Sequence, residues 1–154
     1  MLLTGARRTS ILTVRRTDVD LERKVLTFQH MKIGPPMTFP MGIRLTEMLR
    51  KRLVDDEWLG SEWLWPSGRN SSRRTVDPRA RSHEDLPSAH EYRHVARTLL
   101  IAAGAPYAES ALLLGQKLPG ASGGYVHPEH LVEHLRTFAQ KLEDLVYLRI
   151  EATE

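Results

Sequence analysis

The stretch that decides the fold is SAHEYRHVARTLLIAAGAPYAESALLLG, residues 88–115. Ser88 is followed three residues later by Glu91, which is the sequence pattern of a capping box at the start of a helix. Gly104 is a typical C-terminal stop, because glycine tolerates the left-handed conformation that ends many helices. The spacing therefore predicts a helix from Ser88 to about Ala103.

Two further helices are predicted downstream. Pro106 opens one that runs to about Leu114 and ends at Gly115, and Pro128 opens a last helix that reaches about Ile150. The apolar side chains of the last helix recur at helical spacing: Leu131, Leu135, Phe138, Leu142, Leu145 and Leu148. This stripe either closes the core of its own chain or packs on a second copy, which would give a dimer.

Upstream, the pattern changes to short extended runs. Residues 24–29 and 37–41 are rich in β-branched and aromatic side chains, and the Gly and Pro residues of 31–36 predict a β-hairpin turn between them. Residues 43–56 predict an amphipathic helix. We therefore expect an α+β, mainly α-helical domain with a small antiparallel sheet on one side.

Residues 60–87 are rich in Ser, Arg, Pro and Asp and predict a long surface loop. Its arginines either contact phosphates or are merely solvated: Arg69, Arg73, Arg74, Arg79 and Arg81. The tryptophans at 58, 63 and 65 are expected to anchor the core or the loop rather than to stack on bases.

Composition narrows the class of protein. The 154 residues suffice for one domain, and the absence of Cys excludes disulfides, iron–sulfur clusters, thiolate zinc sites and cysteine nucleophiles. With no long apolar run and no signal-like start, we expect a soluble, cytoplasmic protein. The net charge of +3 divides unevenly, since residues 1–82 carry +7 and residues 83–154 carry −4. The basic half suits a polyanionic partner, or is simply a solvated surface.

Polar motifs recur in a fixed order along the chain. Thr4-Gly5-Ala6 precedes Arg7, Lys32 lies in the hairpin turn, and His90 is followed three residues later by Arg93. Gln116 follows Leu114-Gly115, and Tyr125 comes nine residues after Gln116. In order and spacing this set resembles the catalytic domain of the tyrosine recombinases, the phage integrase family, over nearly the whole chain.

The resemblance implies site-specific recombination of double-stranded DNA, by strand cleavage and rejoining through a covalent 3′-phosphotyrosyl intermediate. It also implies a homo-oligomer, a tetramer on paired sites, and no membrane partner. Residues 1–154 would form the C-terminal catalytic domain, truncated at its N-terminus, without the core-binding domain that precedes it in the family.

The resemblance also implies a role for each motif residue. Tyr125 would be the nucleophile, and the guanidiniums of Arg7 and Arg93 would bind the negative charge of the transition state. Lys32 would protonate the leaving 5′ oxygen, and His90 would act as acid or base or hold the phosphate. No cofactor and no metal are expected, because the arginines supply the positive charge.

Two positions depart from the family pattern. Gln116 stands where His or Trp is usual, and an amide can donate a hydrogen bond to phosphate but carries no charge, so we expect reduced activity. Ser10 stands where an acidic residue often supports the first arginine.

Other interpretations of the sequence are weaker. A type IB topoisomerase would use the same residue types, and a non-cutting DNA-binding remnant of an integrase would keep the fold alone. A zinc site at His127, His130 and His134 is disfavoured, because no Asp or Glu outside the helix completes the set.

Overall fold

A computed structural model describes residues 1–32, 34–68, 70–74, 88–120 and 126–152, except for the side chains of Ser71 and Ala89. The helices in these ranges are α1 (Arg8–Leu12), α2 (Ile43–Asp55), α3 (Ala89–Ala102), α4 (Tyr107–Leu113) and α5 (Val132–Glu151). The strands are β1 (Val19–Asp20), β2 (Val25–Phe28), β3 (Met37–Pro40), β4 (Pro66–Ser67) and β5 (Asn70–Arg74). Single 3₁₀ turns cover Arg16–Asp18, Glu57–Leu59 and Pro128–His130. The expected α+β, mainly helical class is confirmed.

Strands β1, β2 and β3 form an antiparallel sheet in that order. Leu26 pairs with Val19 on one side and with Phe39 on the other, and the predicted hairpin joins β2 to β3. Phe28 and Phe39 are buried, and their rings meet edge to face with centroids 6.3 Å apart. This aromatic pair lies on the face of the sheet that packs into the core shared with the helices.

Helix α5 packs against α3, α4, β3 and α2 of its own chain. Its buried apolar side chains are Leu135, Ala139, Leu142 and Val146. Leu148, at the end of the predicted stripe, is 62% exposed and does not pack in the core of its own chain. The helix also begins later than predicted, since Pro128–His130 form a separate 3₁₀ turn before Val132.

Two expectations for the middle of the chain are wrong. Strands β4 and β5 form an antiparallel hairpin inside the segment predicted as a loop. Trp58 anchors neither core nor loop, because it is 80% exposed, whereas Trp65 packs against the core. Residues 75–87 and Arg69 lie outside the described ranges, so only Arg73 and Arg74 of the arginine cluster are placed, exposed and half-buried respectively.

Arg136 ties α5 to the sheet. Its guanidinium donates hydrogen bonds to the backbone oxygens of Arg23 at 3.0 Å, Lys24 at 2.8 Å and Met41 at 3.1 Å. Arginine can serve three acceptors at once because its five N–H groups form a fixed fork. The turn after β1 and the end of β3 are thereby held to one helix.

A buried carboxylate caps α2. The Glu143 side chain on α5 is 1% exposed, and its two oxygens accept hydrogen bonds from the backbone N–H groups of Arg44 and Leu45, each at 2.7 Å. The N–H group of Ile43, the first residue of α2, donates to Gln140 Oε1 at 2.8 Å. The first N–H groups of a helix have no partner inside it, and its N-terminal dipole favours negative charge. A side chain far along the chain therefore supplies the cap that α2 lacks locally.

Gly42 leaves room for this cap. A Cβ atom at Gly42 would lie 2.7–2.8 Å from the carboxylate atoms of Glu143. Since real Cβ contacts are longer, any other residue at position 42 would displace the carboxylate.

We expect Glu143→Gln to lower the free energy of unfolding by about 2 kcal/mol, because an amide offers one acceptor oxygen and turns its amino group toward a helix N–H. Urea denaturation followed by circular dichroism measures the change. The matched control is Glu47→Gln, which removes an exposed carboxylate of α2 that pairs with Arg50, and should change stability by less than about 0.5 kcal/mol. Equal losses in the two variants would contradict the capping role.

Candidate active site

The segment before α1 is a tight turn that presents Arg7. Backbone N–H groups of Thr4 and Gly5 donate to the oxygen of Met1, and Thr4 Oγ1 accepts from the N–H of Ala6 at 3.2 Å. Gly5 has φ +59°, in the left-handed region that favours glycine. Arg7 is half-buried and lies immediately before the first residue of α1.

Arg93 joins this turn to the end of α4. Its Nη1 donates to the backbone oxygen of Gly5 and its Nη2 to that of Leu114, both at 2.7 Å. These acceptors belong to the two motifs that contain Arg7 and Gln116. One guanidinium on α3 therefore brings together three motifs that are far apart in the sequence.

The junction that Arg93 makes, between the Gly5 turn and the end of α4, is closely packed. A Cβ atom on Gly5 would lie 2.2 Å from Leu114 Cδ2 and 3.3 Å from the Cβ of Ala96. The turn thus requires glycine both for its backbone angle and for the space that Leu114 occupies.

The site carries concentrated positive charge. Burial, with the charges of Arg7 and Arg97, lowers the pKa of Arg93 to about 10. Arg93 remains charged at neutral pH, so three guanidiniums repel one another in a partly desolvated place. An anion bound there would relieve that repulsion and gain charge-assisted hydrogen bonds.

Gly115 places Gln116 beside this cluster. The N–H of Gly115 donates to Leu112 and that of Gln116 to Ala111, both at 2.9 Å, which closes the end of α4. Gly115 has φ +61°. Gln116 Oε1 accepts a hydrogen bond from Arg97 Nη1 at 3.0 Å.

The base of the β2–β3 hairpin also reaches the site. A Cβ on Gly115 would lie 2.3 Å from Met31 Cε and 2.9 Å from Met37 Sδ, so both methionines pack against that glycine. Ser10, in place of an acidic residue, is 2% exposed and donates to the backbone oxygen of His30 at 2.9 Å. Lys32 follows this anchored base and is exposed.

His90 lies exposed in the first turn of α3. The predicted capping box is confirmed, since Ser88 N–H donates to Glu91 Oε2 at 2.6 Å and Glu91 N–H to Ser88 Oγ at 3.3 Å. Hydrogen bonding by Ser88 lowers the pKa of Glu91, and the two nearby histidines contribute. The Nε2 atoms of His90 and His94 are 2.9 Å apart with perpendicular rings, so one ring donates and the other accepts.

The structure therefore brings Arg7, Arg93 and Gln116 together, places the start of the Lys32 hairpin against the same junction, and leaves His90 at the exposed N-terminus of α3. Tyr125 lies outside the described residues.

Two functional candidates were missed in the sequence, His94 and Arg97. Each lies four residues after a motif residue, on the same helical face as His90 and Arg93 respectively. That spacing was the available signal.

The model of the phage integrase family matches residues 1–130. The chain belongs to the phage integrase family. No curated protein gives a significant match.

Membership in the phage integrase family confirms the resemblance carried by the motifs, and assigns the protein to DNA-binding recombinases of the tyrosine type. Within the described ranges, no helix is both long enough and apolar enough to span a membrane.

Two of the three C-terminal histidines of this integrase-family chain, His127 and His134, pair with carboxylates. His127 Nδ1 lies 3.2 Å from Glu129 Oε1, and His134 Nε2 lies 3.1 Å from Glu109 Oε1. Across the part of the chain that the structure describes, no three His, Cys, Asp or Glu side chains are grouped to hold a metal ion.

We expect Gly5→Ala to destabilise the protein by roughly 2–5 kcal/mol, because it adds a clash with Leu114 to the cost of a left-handed alanine. Gly104→Ala is the matched control, since Gly104 also has positive φ, +81°, but its Cβ would meet nothing within 4 Å. That variant should lose only about 1–2 kcal/mol.

Chemical denaturation of both variants separates the two costs. Equal losses of stability in the two variants would mean that Leu114 is not packed against Gly5, contrary to the junction described above.

Proposed function

We propose that this chain is the catalytic domain of a tyrosine recombinase that cleaves and rejoins double-stranded DNA through a 3′-phosphotyrosyl intermediate on Tyr125. The supporting observation is the Arg93 guanidinium, which donates to the backbone oxygens of Gly5 and Leu114 and so assembles the motifs of Arg7 and Gln116 around one point.

The guanidinium cluster would bind the scissile phosphate. A phosphoryl transition state spreads negative charge over its non-bridging oxygens, and guanidiniums that are already in place stabilise that charge without reorganisation. Arg93 is oriented by two backbone acceptors, and Arg7 is close enough to depress its pKa. The unfavourable repulsion between the two cations is exchanged for attraction when a phosphate binds between them.

Tyr125 would supply the nucleophile. Its phenolic oxygen attacks phosphorus and forms a new P–O bond, the bond from phosphorus to the 5′ oxygen breaks, and the phosphodiester energy is kept in the protein–DNA link. Attack by the free 5′ hydroxyl reverses these steps and rejoins the strand.

Two side chains would move the protons. The Lys32 ammonium donates a proton to the leaving 5′ oxygen, and the His90 imidazole accepts the proton of the tyrosine hydroxyl. Lys32 is exposed beyond an anchored hairpin base, which suits a group that must reach into bound DNA.

Exchange of strands between two DNA sites requires more than one active site. We propose that several protomers, a tetramer on paired sites, assemble on DNA for the complete reaction.

We expect a covalent protein–DNA adduct when the protein is incubated with pooled nicked duplexes that release a short fragment on cleavage, read as a shifted band on a denaturing gel. Tyr125→Phe should abolish the adduct, because it removes the attacking oxygen. Tyr147→Phe is the control, since it retains the ring beneath Arg44, 4.2 Å from the guanidinium carbon, and loses only a hydroxyl.

An adduct that persists in Tyr125→Phe would show that Tyr125 is not the nucleophile. A wild-type protein that binds the duplexes without any adduct would instead support a non-cutting DNA-binding domain.

We expect Arg7→Ala to slow adduct formation by about 10²–10³-fold, the usual effect of removing one donor to transition-state charge. Arg8→Ala, one residue along and exposed, should change the rate much less. Single-turnover rates on the trapped substrate measure both. A larger loss in Arg8→Ala would assign the motif arginine to position 8.

A further inference from the structure

Arg97 lies on α3, one turn after Arg93, and its side chain points at Gln116. Its Nη1 donates to Gln116 Oε1 at 3.0 Å, and its guanidinium carbon lies 5.1 Å from the centre of the Tyr107 ring. The Arg97 side chain is therefore held by a hydrogen bond to the Gln116 amide and by a cation–π contact with the Tyr107 ring.

This hydrogen bond determines which way the Gln116 amide faces. Arginine only donates, so the atom that meets it must be the carbonyl oxygen. The amino group then points away from Arg97, and no described residue accepts a hydrogen bond from it. An amide without such a partner can turn over and present its oxygen, which would repel a phosphate.

We propose that Arg97 is a positioning residue that fixes the Gln116 amide with its amino group toward the bound phosphate. The proposal rests on the proposed function, in which that phosphate belongs to DNA. The guanidinium also polarises the amide it binds, which strengthens the amino group as a donor. The neutral Gln116 thereby gains some of the electrostatic advantage of a charged side chain.

A second possibility for Arg97 is direct contact with phosphate, since it too lowers the pKa of Arg93. The two roles differ in one measurable respect. A positioning residue acts through Gln116 and has no effect once that amide is removed, whereas a direct contact acts regardless of residue 116.

The activity test is a cycle of Arg97→Met, Gln116→Met and the double variant in the adduct assay. Methionine keeps a long side chain to pack near Tyr107 but cannot donate. We expect Arg97→Met to slow adduct formation roughly tenfold, as for loss of a hydrogen bond to a charged group, and the double variant to match Gln116→Met. Arg97→Lys should recover part of the rate, because lysine also only donates. If the rate loss of the double variant were instead the product of the two single-variant losses, the proposal would be overturned.

The structural test needs no cleavage. The chain has three glutamines and one asparagine, so the Gln116 side-chain amide can be assigned in a ¹⁵N–¹H spectrum by its loss in Gln116→Met. Arg97→Met should shift this signal and leave Gln29, whose amide donates to Asp18 Oδ1 at 2.8 Å, unchanged. An unshifted Gln116 signal would overturn the proposal.

Inorganic phosphate serves as the probe in the same spectrum. Its addition should shift the Gln116 amino signals in the wild type and much less in Arg97→Met. If the wild type forms no adduct, the proposed cleavage fails while this titration still decides the role of Arg97. Equal phosphate shifts in the two proteins would overturn it.

Discussion

The site depends on a single guanidinium that makes two hydrogen bonds to the backbone. Arg93 reaches from α3 to the oxygens of Gly5 and Leu114. Backbone acceptors hold this side chain more rigidly than an exposed carboxylate would, and among the described residues no carboxylate pairs with its charge. The interaction that assembles the site therefore also leaves it positively charged.

Small residues make that assembly possible. Gly5 and Gly115 both have positive φ, and a Cβ at either would overlap a neighbouring side chain, that of Leu114 or of Met31. Close approach of the backbone lets Arg93 on α3 reach both the Gly5 turn and the end of α4, while the hairpin base packs against Gly115. The glycines of the two sequence motifs are therefore structural requirements of the site.

Much of this arrangement was predictable from local signals. The capping box at Ser88 fixed the start of α3, and the Gly and Pro residues of 31–36 located the hairpin. Family motifs identified Arg7, Arg93 and Gln116, which the structure brings together. The catalytic roles of these three residues, and those of Lys32, His90 and Tyr125, remain predictions.

What could not be predicted depends on long-range geometry. Nothing local distinguishes Glu143 from the other acidic residues of a helix surface, since its partner is the N-terminus of α2. The β4–β5 hairpin has a polar sequence, similar in composition to the residues around it, so composition did not distinguish it from a loop. Arg97 lies on the predicted helix, but its partner Gln116 becomes its neighbour only when α4 folds back.

The cap on α2 has a consequence for biosynthesis. Its carboxylate lies 98 and 99 positions after the N–H groups that it serves. During synthesis α2 leaves the ribosome long before Glu143 is added, and the N–H groups of its first turn bond to water until α5 emerges. Contacts of such sequence separation are slow to form, so the domain can close only after α5 has been synthesised, rather than helix by helix.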